Sequence, residues 1–365
     1  MVEGFQKSVA RNVNMHTHSN DHISKKKIPY TVGKPFKRYL RRYGREMQLP
    51  VSYDTLKHFN YGIPVTDKAG KDTLWETVFY NPSLTDEIHA ALKRVYSLLK
   101  SSGHTQAEEH LHIERIDYCL FGNSKPFRIK IVNNYNEVHD YFYIKVADAS
   151  RIFGMELEHL LSPHWINFLI DDNTLAEEHI SGVPGDVFIK EHLQRPEYNL
   201  KKIAKEFVKF NERCFVRLLG DMRSYNFVFD ITQDFDDIQF RIRSIDFDQQ
   251  SYEGNRNIYL PQFFKENFVF VQLVQQHLHP DVIKQYQQEE TAQIIRRIKA
   301  QRQRLRHLRV AASDEPLSTP PKIKQLATAL GQYHQREAAF AKCNTMPKIM
   351  YQHLMALLIK DQKED

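Results

Sequence analysis

The sequence predicts an α+β protein, with an antiparallel sheet interrupted by one helix ahead of a mainly helical carboxyl-terminal half. Two observations carry this. Between 113 and 180, aromatic and β-branched residues dominate, broken by Gly122-Asn123-Ser124, Asn133-Asn134 and Asp171-Asp172-Asn173. That is the pattern of short strands joined by tight turns. Beyond Gly182-Val183-Pro184-Gly185 the apolar residues recur at helical spacing instead.

Composition bounds the rest. A chain of 365 residues has room for two domains, or for one two-lobed enzyme with extensions. An apolar content of 41% is enough for a real core and argues against wholesale disorder. Cys119, Cys214 and Cys343 stand far apart without paired spacing, which fits a reducing compartment. The first residues lack the apolar stretch of a secretory signal, and no run of about 18 apolar residues occurs, so a cytoplasmic protein without a membrane span is expected. The net charge of +6 gathers in two basic runs, 25–45 and 296–309. Either could meet an acidic or nucleic-acid partner. In the second run, Ile294, Ile298, Leu305 and Leu308 recur at helical spacing, which implies one buried stripe and a basic outer face.

Taken in order, 1–28 reads as a flexible polar tail. His16, His18 and His22 lie close there, but without cysteine partners or a rigid element they read as tail rather than metal site. Residues 29–105 read as a helical extension. It ends in a strong helix with Ser83 or Thr85 as cap, Ile88, Leu92, Val95, Leu98 and Leu99 on its apolar face, and Gly103 as its stop. Residues 106–180 read as the sheet: three strands, the helix ASRIFGMELEHLLS packed on them, then two short strands at INFLID and TLAEEHI. Residues 181–365 open with a helix capped by Asn199, with Ile203, Phe207, Phe210, Cys214 and Leu218 on one face. A strand pair follows at YNFVFD and IQFRIRSIDFD. Helices complete the chain around a Ser- and Pro-bearing loop at 312–321.

The stretch LGDMRSYNFVFD places Asp221, Arg223 and Asn226 between a buried helix and a strand, a rigid mounting for chemistry. Twenty residues after Asn226 comes IDFD, with Asp246. Upstream, FYIKVAD carries Lys145 on a strand, the next helix carries Glu156 and Glu158, and LAEEHISGVPGD supplies acids, an apolar residue and two glycines.

In these residues and their order the chain resembles the protein-kinase-like superfamily, closest to small-molecule phosphotransferases of the aminoglycoside and choline kinase type, over about residues 113–275. The resemblance implies a two-lobed fold, a five-stranded small lobe, and ATP and Mg2+ as cofactors. It assigns Lys145 to the nucleotide phosphates and pairs it with Glu156 or Glu158, Glu156 being favoured because Leu160 shares its face. Backbone near Glu178 and Ile180 would hold adenine. Asp221 would orient or deprotonate the attacking hydroxyl, Arg223 would neutralise the γ-phosphate, and Asn226 and Asp246 would hold the metal.

The chain also departs from the pattern. The phosphate-covering loop FGNSKPFRI has one glycine, so Ser124 and Lys125 would make the contact. Leu219 replaces a common histidine, Asp248 replaces the last glycine of D-F-G, and there is no A-P-E segment. The expected function is γ-phosphate transfer from ATP to a hydroxyl of an unknown small molecule or protein. The alternative is a kinase-shaped binding or regulatory protein, catalytically weak or inactive.

Overall fold

The computed structural model describes residues 27–67, 69–101, 109–121, 124–235 and 237–364. The chain divides into two compact units. One takes in 31–148 and 166–179, and the other holds the described parts of 1–30, 149–165 and 180–365.

The first unit is built on a sheet. It opens with α1 (Lys34–Arg42) and α2 (Tyr53–Lys57), then β1 (Tyr61–Thr66), β2 (Asp72–Phe79) and α3 (Pro82–Ser101). β3 (Leu111–Cys119), β4 (Phe127–Asn133) and β5 (His139–Val146) follow. α4 (Ala149–Leu161) belongs to the other unit, and β6 (Phe168–Asp171) and β7 (Thr174–Glu178) return to this one. The sheet order is β1-β2-β3-β4-β5-β7-β6, antiparallel throughout. β4 shows why it is a strand: Phe127, Ile129 and Ile131 are buried while Arg128 and Lys130 are not, the period of a one-sided sheet. α3 packs against β3 and β7, and Ile88, Leu92, Val95 and Leu99 join Ile129, Phe142 and Ile144 in one core.

Three expectations need correction here. The sheet has seven strands rather than five, because residues 61–79, read as helical, form a hairpin. Asp67 and Gly70 make its turn, with the Asp67 carboxylate accepting from the amides of Ala69 and Lys71. The helix covering the sheet is α3, whereas α4 packs with helices of the other unit, and all but one of its residues are buried. α3 also starts ahead of both expected caps, at Pro82, whose missing N–H suits a first helical position, so neither Ser83 nor Thr85 is its cap. Gly103 and the histidine-rich tail lie outside the described residues.

The second unit is mainly helical. It contains α4, then β8 (Val183–Pro184), α5 (Leu200–Arg217), the hairpin β9 (Phe227–Asp234) and β10 (Asp237–Ser244), α6 (Phe268–His277), α7 (Pro280–Ala300), α8 (Arg302–Ala312), α9 (Pro320–His334) and α10 (Met346–Glu364). The Asn199 carboxamide caps α5, accepting from the amides of Lys201 and Lys202. Ile203, Phe207, Phe210, Cys214 and Leu218 are buried along its inner face. β8, β9 and β10 form a small sheet in the order β10-β9-β8. Among the described residues no helix is long and apolar enough to cross a membrane.

Candidate functional site

Asp221 lies where α5 gives way to a tight loop. Leu218 ends the helix in the left-handed conformation, and Asp221 adopts a positive φ of 56°. Aspartate visits this region more readily than most residues because its short polar side chain bonds locally. Main-chain ties hold the loop. Gly220 donates to the Gln249 carbonyl and Asp221 to that of Ile258, both at 3.3 Å, and Leu219 bridges to Gln250. The segment that leaves β10 is therefore stitched along the loop that leaves α5.

The hairpin register adds the next residue pair. Phe227 pairs with Ser244, and one step beyond, the Ile245 amide donates to the Asn226 carbonyl at 3.1 Å. Asn226 and Asp246 thus leave the hairpin side by side. The Asn226 side-chain nitrogen donates to the Asp221 carbonyl at 2.7 Å, so a single loop end carries Asp221, Asn226 and Asp246.

The charges around them are dense. Arg223 donates to Asp221 at 2.8 Å and to Glu266 at 2.7 Å, and its guanidinium lies over Phe264. Arg151, a buried residue of α4, donates to Asp246 at 3.0 Å and to Asp248 at 2.7 Å. Asp246 also accepts from the Asp248 amide, and Lys27 donates to the Asp248 carbonyl at 2.6 Å. Burial pushes the Asp221 carboxyl up to about 6, against the pull of Arg223, and the charges of Asp246 and Glu266 push the same way. A carboxylate so placed is a stronger base than a solvated one.

The donor set suits a hard divalent cation. Asp246, Asn226 and Asp248 carry side-chain oxygens, and magnesium needs no more than one or two protein carboxylates; among the described residues no group of three or more His, Cys, Asp or Glu side chains is placed to hold a metal ion. The second carboxylate oxygen of Glu266 is buried without a hydrogen-bond partner. Arg151 already neutralises part of the Asp246–Asp248 charge, so a metal would share that pair with an arginine.

The pairing expected for Lys145 is not the one formed. Its ammonium bonds to Glu177 of β7 and lies over the Tyr143 ring at 5.1 Å. Lys145 pairs with Leu175 and Tyr143 with Glu177, so lysine and glutamate are diagonal neighbours on one sheet face. The glutamates of α4 have other partners. Glu156, fully buried, takes both oxygens to Arg304 of α8 at 2.9 and 3.0 Å, and Glu158 pairs with Arg217 of α5. A buried carboxylate needs a cation whose hydrogen bonds fill its lone pairs, and a guanidinium does this better than an ammonium.

The remaining positions are placed less tellingly. The Glu178 amide donates to the Asn167 carbonyl at 3.0 Å and its carboxylate accepts from the Asn167 amide at 2.8 Å, so both are engaged within the sheet. Ile180 is buried, the first residue of the chain's return to the helical unit. Ser124 is half-buried, and Gly122 and Asn123 lie outside the described residues.

Glu177, Arg151 and Glu266 are the charged neighbours that sequence reasoning missed. Glu177 had a usable signal, since it falls two residues from the β7 position opposite Lys145. Arg151 and Glu266 had none, being single charges in helical or irregular stretches. No protein-family model matches the chain, and no curated protein shows significant similarity to it.

Proposed function

We propose that the chain is an ATP-dependent phosphotransferase that uses magnesium and delivers the γ-phosphate to a hydroxyl of a small molecule or protein. The observation that carries this reading is the convergence of Asp221, Asn226 and Asp246 on one loop end, with Asp221 made basic by burial. Asp246 and Asn226 would hold the metal, which would screen the phosphate oxygens and steady the leaving group. Asp221 accepts the hydroxyl proton as the acceptor oxygen bonds to phosphorus and the bond to ADP breaks. Arg223, held by Asp221 and Glu266, keeps positive charge at the acceptor side.

A second reading, a kinase-shaped binding protein without turnover, is favoured by the hold of Arg151 on Asp246 and Asp248 and by the single glycine of the phosphate loop. Thermal shift with ATP, with and without magnesium, together with ADP formation across pH in the presence of a pool of hydroxyl-bearing small molecules and proteins, separates the two. The enzyme reading expects magnesium-dependent stabilisation of about 2.7 kcal/mol at a hundredfold excess over Kd. It also expects ADP formation that rises with pH through about 6, as Asp221 ionises. Stabilisation by ATP without ADP formation at any pH supports the binding-protein reading.

A further inference from the structure

The basic run at 296–309 plays no part in the site above, apart from Arg304. From Thr291 to Ser313 the chain contains no acidic residue and seven lysines and arginines. The structure sorts them by face. Ile294, Ile298, Leu305 and Leu308 are buried, and Arg304 turns inward to Glu156. Arg302, Arg306 and Arg309 are exposed and follow one another at i, i+4 and i+7, so α8 presents all three on one side. Arg296 and Lys299, also exposed, add the same charge at the end of α7. Arg309 stacks over Tyr351 at 4.5 Å, which fixes its direction, and the nearby Asp314 is paired with Lys348.

A face of this kind repels itself when nothing is bound to it. The three α8 arginines span about 10 Å of helix axis, and with no carboxylate interleaved they form a row of fixed positive charge suited to a row of fixed negative charge. Membrane surfaces, single strands and duplexes all offer such a row, and composition chooses among them. Membrane-surface helices combine the cations with large apolar residues that enter the lipid, whereas here the α8 face offers only Val310 as an exposed large apolar side chain. Single-stranded nucleic acid is held by aromatic platforms as well as charge, whereas α8 carries no Phe, Tyr or Trp and the ring of Tyr351 beside it is already taken by Arg309. What remains is recognition of phosphates alone.

We propose that the α8 face formed by Arg302, Arg306 and Arg309 binds the phosphate backbone of a nucleic-acid duplex without reading its sequence. This proposal is independent of the phosphotransferase reading.

The test is fluorescence anisotropy of the full chain with a labelled mixed-sequence DNA duplex over a range of salt, beside one strand alone and beside anionic phosphatidylserine vesicles. Three neutralised phosphates give a slope of log K against log salt of about −3. The variant R302Q/R306Q should lose at least about tenfold in duplex affinity and flatten the slope by about 2. The variant K57Q/K71Q, with the same charge change at exposed lysines of the other unit, should bind as wild type does. Circular dichroism shows whether R302Q/R306Q keeps its helices, and both positions are exposed. Equal loss in the two variants, tighter binding to the single strand or to vesicles, or absence of salt-dependent duplex binding would each overturn the proposal.

Discussion

The side-chain amide of Asn226 donates to the main-chain carbonyl of Asp221 at 2.7 Å, closing the loop between them. The same carbonyl also accepts from the Arg223 amide at 2.8 Å. Asn226→Ala should therefore cost only about 1 kcal/mol, since one donor survives. Asn226→Asp should cost more, because it turns a carboxylate oxygen against that carbonyl. Urea denaturation ranks the two, and the reverse order would contradict the loop geometry.

Asp221 should be a residue that weakens the fold. Its carboxyl is raised to about 6 by burial, above its unfolded value. The unfolded chain then ionises first, so stability falls as pH rises from about 4 to about 6 and stays lower at neutral pH. Asp221→Asn should raise stability at pH 7 by about 1–3 kcal/mol. It should also remove this part of the pH dependence of the urea midpoint. A destabilised variant would mean that the Arg223 pairing outweighs burial.

Lys145 and Glu177 are a buried pair, their side chains 10% and 6% exposed. Lys145→Met removes an ammonium from a buried carboxylate, at a cost of about 3–5 kcal/mol. Lys145→Met/Glu177→Leu should recover most of that loss, because two apolar side chains need no counter-charge. A double variant as unstable as the single one would show that the pair is not the interaction lost.

The pair between Glu156 and Arg304, in which one guanidinium nitrogen donates to both carboxylate oxygens, makes a different forecast from the one the resemblance carried. Glu156→Gln should lower stability and leave nucleotide affinity unchanged, measured by denaturation and by ATP titration. Loss of nucleotide affinity without loss of stability would restore the expected pairing with Lys145.

The legible parts of the molecule were those specified locally. Alternation in FRIKIVN marked β4, the cap at Asn199 marked the start of α5, and the stripe of Ile294, Ile298, Leu305 and Leu308 fixed the inner face of the basic helices. The β1–β2 hairpin was obscured because its residues Tyr61, Ile63 and Leu74 stay exposed and its strands bury little, so no strong period shows. The ion pairs were harder still. Sequence distance offered Glu156 to Lys145, but partner choice among buried charges depends on which cation can fill all the lone pairs of a carboxylate. That is decided by packing, and it sent Glu156 to Arg304 and Arg151 to Asp246.

The central claim is that Asp246 serves a cation while Asp221 serves the acceptor. Calorimetric titration of ATP, with and without magnesium, into wild type, Asp246→Asn and Asp221→Asn tests this most directly. The account predicts magnesium-dependent binding in wild type, its loss in Asp246→Asn because a neutral amide cannot hold the charge, and its retention in Asp221→Asn, which nonetheless turns over no ATP. Equal binding in all three proteins, with no turnover in any, would contradict it.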